Sequence, residues 1–170
     1  KKIDGAVHCM YPNSSGWGEK FENLKENNLK LDLFNQLGAA IIFSQQIIKY
    51  FTKIKKGKLI HVSSIQGLGA PKFDHYKGLK MSSPIEYGAI KSGIISITRY
   101  LSKYYKNKNL NINCISPGGI EDNQPLKFKS RYKSNCNSKG LLNPNDITGT
   151  IMFLLSDKSN YINGQNIIID

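Results

Sequence analysis

Arginine is nearly missing from this chain. Of its 170 residues 24 are basic and 12 acidic, a net charge of +12, yet only Arg99 and Arg131 are arginine and the other 22 cations are lysine. Arg is the side chain that reads phosphate and guanine in bidentate fashion, and the lysines here are scattered. The densest run, Lys53 to Lys58, sits where a helix is expected to end and meets the negative end of its dipole. A nucleic-acid partner is therefore not expected. Cysteine is equally sparse. Cys9, Cys114 and Cys136 are odd in number, widely spaced and free of any CxxC pair. That excludes a disulfide framework and a cysteine zinc site and fits a reducing compartment. His8, His61 and His75 show no paired ligand spacing, so no metal is expected, and the cytoplasm is the expected location. Long apolar runs are missing too. The nearest, Leu37 to Ile48, carries Ser44, Gln45 and Gln46 and falls short of the roughly 20 residues a membrane span needs. No membrane partner is expected.

What is present is an alternation of strands and helices. Ile3 to Cys9 reads as a short buried strand, followed by a loop rich in Pro, Ser, Gly and Asn over Pro12 to Gly18. Leu29, Leu33, Leu37, Ile41, Ile48 and Phe51 recur at helical spacing, with Gly57 expected to end that helix and Lys58 to Ser63 forming the next strand. Ser83, Pro84 and Glu86 read as an N-cap, a first-turn proline and a capping-box glutamate, opening a helix that runs to about Tyr105 with Ile90, Ile94, Ile97, Leu101 and Tyr104 on one side. Leu110 to Ser116 is another strand, stopped by Pro117-Gly118-Gly119. Asp122 to Gly140 reads as polar and irregular. Asn143-Pro144-Asn145-Asp146 opens a third helix, to about Leu155, and Gln165 to Ile169 is a last strand. The pattern predicts a single α/β domain over 1–170 with a mainly parallel sheet. Ligands gather at the carboxyl ends of such strands.

Tyr87 and Lys91 stand four residues apart, on one face of the second helix. A tyrosine phenol titrates near 10. A neighbouring ammonium and the positive end of the helix dipole both favour the phenolate. A phenol tuned in this way exchanges a proton with an alcohol or carbonyl oxygen. Taken alone, the pair also fits a packed tyrosine beside a solvated lysine.

Five segments, in order, give the pair its context. Tyr87-Gly88-Ala89-Ile90-Lys91-Ser92-Gly93 is similar to a YxASKxG segment, and Gly57-Lys58-Leu59-Ile60-His61-Val62-Ser63-Ser64 to a strand ending in paired serines. Asn35-Gln36-Leu37-Gly38 matches N-x-x-G, Asn113-Cys114-Ile115-Ser116-Pro117-Gly118 matches N-x-[IV]-x-P-G, and Tyr161-Ile162-Asn163-Gly164-Gln165 followed by Ile167-Ile168-Ile169-Asp170 resembles an I-x-G-Q strand. With these segments the chain resembles the short-chain dehydrogenase/reductase family. The resemblance implies a Rossmann-like doubly wound parallel sheet and an NAD(P)-dependent oxidoreductase acting at a hydroxyl or carbonyl. It implies Tyr87 as the acid/base and Lys91 as the residue that tunes it and holds the nicotinamide ribose. Ser64 would hold the substrate oxygen, and Asn35 would place a water in a proton relay behind Lys91. Pro117, Gly118 and Gly119 would lie against the nicotinamide of NAD or NADP, and His8 would stand beside the cofactor. The partners implied are a small-molecule substrate and further copies of the chain, a homo-oligomer through helices 29–56 and 84–105.

The departures from the family are also informative. His8-Cys9-Met10-Tyr11 replaces an N-N-A-G run, and Met10 and Tyr11 narrow the space nearby. The interval from Ser64 to Tyr87 is 87 − 64 = 23 residues, longer than the family's usual length. Its Pro71-Lys72-Phe73-Asp74-His75-Tyr76 stretch resembles members linked to flagellin or sialic-acid-like surface-sugar modification, which points to a sugar or sugar-nucleotide substrate. Glu121-Asp122 stands where a cofactor-contacting Thr is usual. No TGxxxGxG phosphate turn occurs, so the chain is expected to be the carboxyl-terminal portion of such a domain, lacking its amino-terminal strands and with Ile3 to Cys9 as an exposed edge. The same absence leaves a second expectation, a catalytically silent remnant or interaction module without cofactor binding.

Overall fold

Four strands run parallel and lie side by side in chain order in the computed structural model, which describes residues 2–137 and 139–170. They are β1 (Gly5–His8), β2 (Gly57–Val62), β3 (Leu110–Pro117) and β4 (Asn166–Ile169). In register, Val7 lies opposite Ile60 and His61 opposite Cys114, while Ile115 pairs with Ile167. Parallel strands need long crossovers, and helices supply most of them. The first crossover holds α1 (Glu26–Asp32), a π-helical turn (Leu33–Gly38) and α2 (Ala39–Ile54). The second holds α3 (Ile85–Tyr104), and the third holds α4 (Leu126–Lys133) and α5 (Thr148–Leu155).

Alternation along β2 sorts its side chains to the two faces of the sheet. Leu59 packs with Ile48 and Phe51 of α2 and with Ile112 on one face. Ile60 packs with Ile115 and with Leu154 of α5 on the other. Each such fully buried Leu or Ile contributes about 1.5–3 kcal/mol. Two polar side chains on β2 are buried as well, each with partners. Lys58 Nζ donates to Ser156 O at 2.8 Å, Ser159 Oγ at 3.2 Å and Asn160 Oδ1 at 2.8 Å. His61 lies between Ser44 Oγ and Thr98 Oγ1, at 2.8 Å from each. Burial drives the His61 imidazole down to about 3, so the ring is neutral near pH 7.

Several expectations need correction. The first long helix begins at Glu26 and ends at Ile54. Lys55, with φ of 58°, takes the left-handed position that closes it, while Gly57 is already in β2. The wider π turn breaks the i, i+4 count, so Ile41 is 48% exposed, and Ala40 and Ser44 are buried instead. The Ser83 capping box does not form. Pro84 is the N-cap residue of α3, and the Ser83 hydroxyl donates to Gln66 Oε1. Tyr104 lies on the outer side of α3, stacked on Tyr100 at 5.7 Å. Asp122 to Gly140 is not irregular throughout. Phe128 and Tyr132, one helical turn apart and buried, organise α4 among its lysines. The capping box at Asn143 and Asp146 does form, over a 3₁₀ turn that leads into α5.

Candidate active site

The carboxyl ends of β1, β2 and β3 open into one cleft of about 550 Å³ lined by Ser64, Tyr87, Lys91, Pro117, Gly118 and Gly119. Six of the sequence-predicted residues (Ser64, Tyr87, Lys91, Pro117, Gly118 and Gly119) therefore meet in one place. Local packing explains why. Ser63 Oγ donates to the carbonyl of Lys91 at 2.7 Å, and Ser92 Oγ donates to that of Gly67 at 2.7 Å. These bonds fasten the turn after β2 to the first half of α3. Gly67 is required there, because a Cβ would stand 2.7 Å from the Lys91 backbone carbon.

Ser64 caps the 3₁₀ turn Ile65–Gly67, and its Oγ accepts from Gln66 N at 3.2 Å. Gln66 Nε2 reaches Tyr76 Oη at 3.2 Å, so the long segment between Ser64 and Tyr87 folds back over the cleft. Tyr76, Met81, Ser82 and Ser83 from that segment line it.

Lys91 is buried, and its Nζ donates to Val62 O at 3.2 Å. It also stands 5.3 Å from the ring centre of Tyr11 and 5.5 Å from that of Tyr87. Burial lowers the ammonium to about 8. The phenol of Tyr87 moves opposite to the sequence-based expectation. Its burial raises the titration point, and the Ser64 hydroxyl only partly offsets this. The physical reason is enclosure. The Nζ of Lys91 is turned to a backbone carbonyl, while Trp17 and Tyr11 pack edge-on against Tyr87 at 6.1 Å and 5.7 Å. Near neutral pH, Tyr87 is therefore a protonated acid.

Two predicted residues lie outside the cleft. Val7 and Cys9 line it, whereas His8 between them points to the opposite face of the sheet. There the His8 ring packs 5.2 Å from Phe43 and 6.0 Å from His61. Asn35 sits in the π turn, half-buried and off the cleft wall. At Gly118, the close neighbours of a Cβ would be the Asp170 carboxylate and the Tyr132 hydroxyl. Tyr132 Oη accepts from Gly119 N at 2.6 Å and donates to Asp170 Oδ1 at 3.2 Å, so the protein itself braces this turn. Glu121 turns aside to pair with Lys129 at 2.6 Å. Sequence reasoning missed Trp17, Gln66 and Tyr132. The available signal for Trp17 was that the chain's one tryptophan falls in a loop of Pro, Ser, Gly and Asn.

The family model described as enoyl-(acyl carrier protein) reductase matches residues 1–170. The chain is 40% identical over 170 residues to the post-translational flagellin modification protein A of Campylobacter coli, covering 99% of this chain and 66% of that protein. It is 29% identical over 176 residues to a 7alpha-hydroxysteroid dehydrogenase of Bacteroides fragilis, covering 98% and 64%. Among solved structures, a short chain dehydrogenase from Leptospira borgpetersenii with bound NAD+ superposes with a TM-score of 0.90 at 30% identity, covering 98% of this chain and 63% of that one. A 4-hydroxyisoleucine dehydrogenase complexed with NADH gives 0.81 at 25% identity, covering 98% and 67%. The chain thus spans about two thirds of the length of the relatives it matches.

Proposed function

The chain belongs to the short-chain dehydrogenase/reductase family, and from that premise we propose that the whole protein moves a hydride between NAD or NADP and a hydroxyl or carbonyl carbon of a sugar or sugar nucleotide. The observation that carries this reading is the meeting of Ser64, Tyr87 and Lys91 in one cleft at the carboxyl ends of parallel strands. NAD-bound and NADH-bound relatives of the same fold support the choice of cofactor. The flagellin modification protein among the relatives supports a surface-sugar substrate.

The residues present fit the nicotinamide end of such a cofactor. Lys91 is a buried ammonium whose one acceptor among the described residues is Val62 O. An ammonium has three donors, so two are left for ribose hydroxyls. Pro117, Gly118 and Gly119, with the apolar side chains of Val7, Val62 and Ile147, would flank the nicotinamide. When bound, the nicotinamide supplies or accepts the hydride at the substrate carbon. Ser64 Oγ donates a hydrogen bond to the substrate oxygen, which fixes it beside Tyr87. In reduction, Tyr87 Oη gives its proton to that oxygen as negative charge develops there. In oxidation, the Tyr87 phenolate takes the proton back, and the Lys91 ammonium stabilises that phenolate. Burial keeps the Tyr87 phenol protonated near neutral pH, the form that donates in reduction. His8, on the far face of the sheet, has no role in this scheme. Asn35 enters only through a water behind Lys91.

The outward faces of the helices support self-association. Phe34 and Ile42 are 68% and 52% exposed, and Tyr100 and Tyr104 are 64% and 67% exposed. Large apolar groups of this kind mark interaction surfaces. The three free thiols fit the reducing cytoplasm. The test is a coupled assay on the full-length protein. Purified enzyme is incubated with NADH or NADPH and a panel of keto-sugars and nucleotide keto-sugars, and loss of reduced nicotinamide is followed. Substrate-dependent oxidation of one dinucleotide is expected. Binding of neither dinucleotide would overturn the proposal in favour of an interaction module.

A further inference from the structure

The loop that follows β1 is built with unusual firmness for a segment of Pro, Ser, Gly and Asn. Asp32 of α1 is 0% exposed. Its carboxylate accepts from Ser14 N at 2.6 Å and from Ser14 Oγ at 2.7 Å. Gln36, 1% exposed, donates from Nε2 to Pro12 O at 3.0 Å and Asn13 Oδ1 at 3.1 Å. At the far end of the loop, Ser82 Oγ donates to Gly18 O at 2.6 Å. A buried carboxylate is costly unless its hydrogen bonds are met. Here they are met by the loop, and no Lys or Arg pairs with Asp32 among the described residues.

What this clamp delivers to the cleft is two aromatic rings. Tyr11 and Trp17 stand 5.4 Å apart and nearly perpendicular, and each meets the Tyr87 ring edge-on. Tyr11 is 46% exposed, with the Lys91 ammonium 5.3 Å from its ring centre. Among the described residues the remaining polar lining is neutral, with hydroxyls and carboxamides such as Ser82, Ser83 and Gln124, and Lys91 is the one charged side chain on the cleft wall. Aromatic faces beside neutral hydrogen-bonding groups match a ring that presents C–H bonds on its faces and hydroxyls on its rim.

We propose that Tyr11 and Trp17 form a stacking wall that selects a cyclic polyhydroxylated ring, a pyranose or cyclitol, for the oxygen chemistry of Tyr87, with Asp32 and Gln36 as the positioning residues that hold the wall in place. This rests on the reductase reading only for where the reacting oxygen sits.

The test is an equilibrium titration that needs no turnover. Trp17 emission, taken as the difference between the full-length protein and its Trp17→Phe variant, is followed with methyl β-D-glucopyranoside and myo-inositol. Glycerol supplies hydroxyls without a ring, and cyclohexanol a ring with one hydroxyl. A saturable change with the two cyclic polyols is expected, weakened about tenfold in Tyr11→Ala and in Asp32→Asn, the loss of one ring contact being worth that factor. Tyr11→Ala alters a half-exposed side chain and keeps the test sound should Asp32→Asn fold poorly. No response to the cyclic polyols, an equal response to glycerol or cyclohexanol, or full affinity in Tyr11→Ala would overturn the proposal. A titration that succeeds while the coupled assay shows no hydride transfer would instead count against the reductase reading alone.

Discussion

Replacing Lys91 by Met should stabilise the cofactor-free protein at neutral pH, and the size of the effect should depend on pH in a defined direction. Lys91 titrates at 10.5 in its ordinary state and at about 8 in the fold, where burial disfavours the charge. The folded protein therefore binds fewer protons than the unfolded chain between those two values. Stability rises with pH wherever the unfolded state holds more protons. The contribution is complete above 10.5, is lost as pH falls through about 8, and is flat below. At about 1.36 kcal/mol per pH unit, the gap corresponds to about 3 kcal/mol, most of it recovered between about pH 7 and about pH 10. Lys91→Met has similar length and no charge, so it lacks this dependence. Urea unfolding of wild type and variant, followed by fluorescence at those two pH values, gives the difference free of the other lysines. The variant is expected to lead by about 2–3 kcal/mol near pH 7 and by little near pH 10. A gap that stays constant with pH would refute the buried-ammonium argument. A gain in stability joined to loss of activity is the expected signature of a charge kept for function.

Two other predictions follow from the same geometry. His61→Leu should cost no more than about 1–2 kcal/mol near neutral pH, because the Ser44 and Thr98 hydroxyls retain Ala40 O and Ile94 O as acceptors. The wild-type ring is depressed to about 3 from 6.5, so its stability contribution is present above 6.5 and lost as pH falls toward 3. The variant should therefore show a weaker loss of stability between neutral pH and about pH 4 in urea unfolding. For self-association, light scattering should give a particle of two or more full-length chains, and Phe34→Glu with Tyr104→Glu should shift it toward the monomer. A monomeric wild type would remove the oligomer proposal.

How far the sequence could be read depended on the kind of signal. Strand and helix order followed from apolar periodicity, and the meeting of Ser64, Tyr87 and Lys91 followed from motif order and the crossover rule of parallel sheets. The π turn at Leu33–Gly38 leaves no periodicity cue, so the helical spacing that groups Ile41 with Leu37 fails beyond it. Ser83 matches an N-cap by type and spacing, yet Gln66, seventeen residues earlier, takes its hydroxyl. No local rule anticipates such a partner. α4 was hidden because its apolar content is little more than Phe128 and Tyr132 within a lysine-rich stretch. The direction of the Tyr87 shift is hidden from the sequence for a related reason. Spacing places an ammonium near a phenol, but only three-dimensional packing shows that the ammonium faces Val62 O and that Trp17 and Tyr11 enclose the ring.

The central claim is that Tyr87 transfers the proton that accompanies hydride transfer. Tyr87→Phe in the full-length protein removes one oxygen and keeps the ring contacts to Tyr11 and Trp17. Turnover measured against wild type, with dinucleotide binding and the unfolding midpoint as controls, tests that claim most directly. A fall in kcat of about 10²–10⁴-fold is expected, with both controls unchanged. A variant that turns over at the wild-type rate would contradict the account.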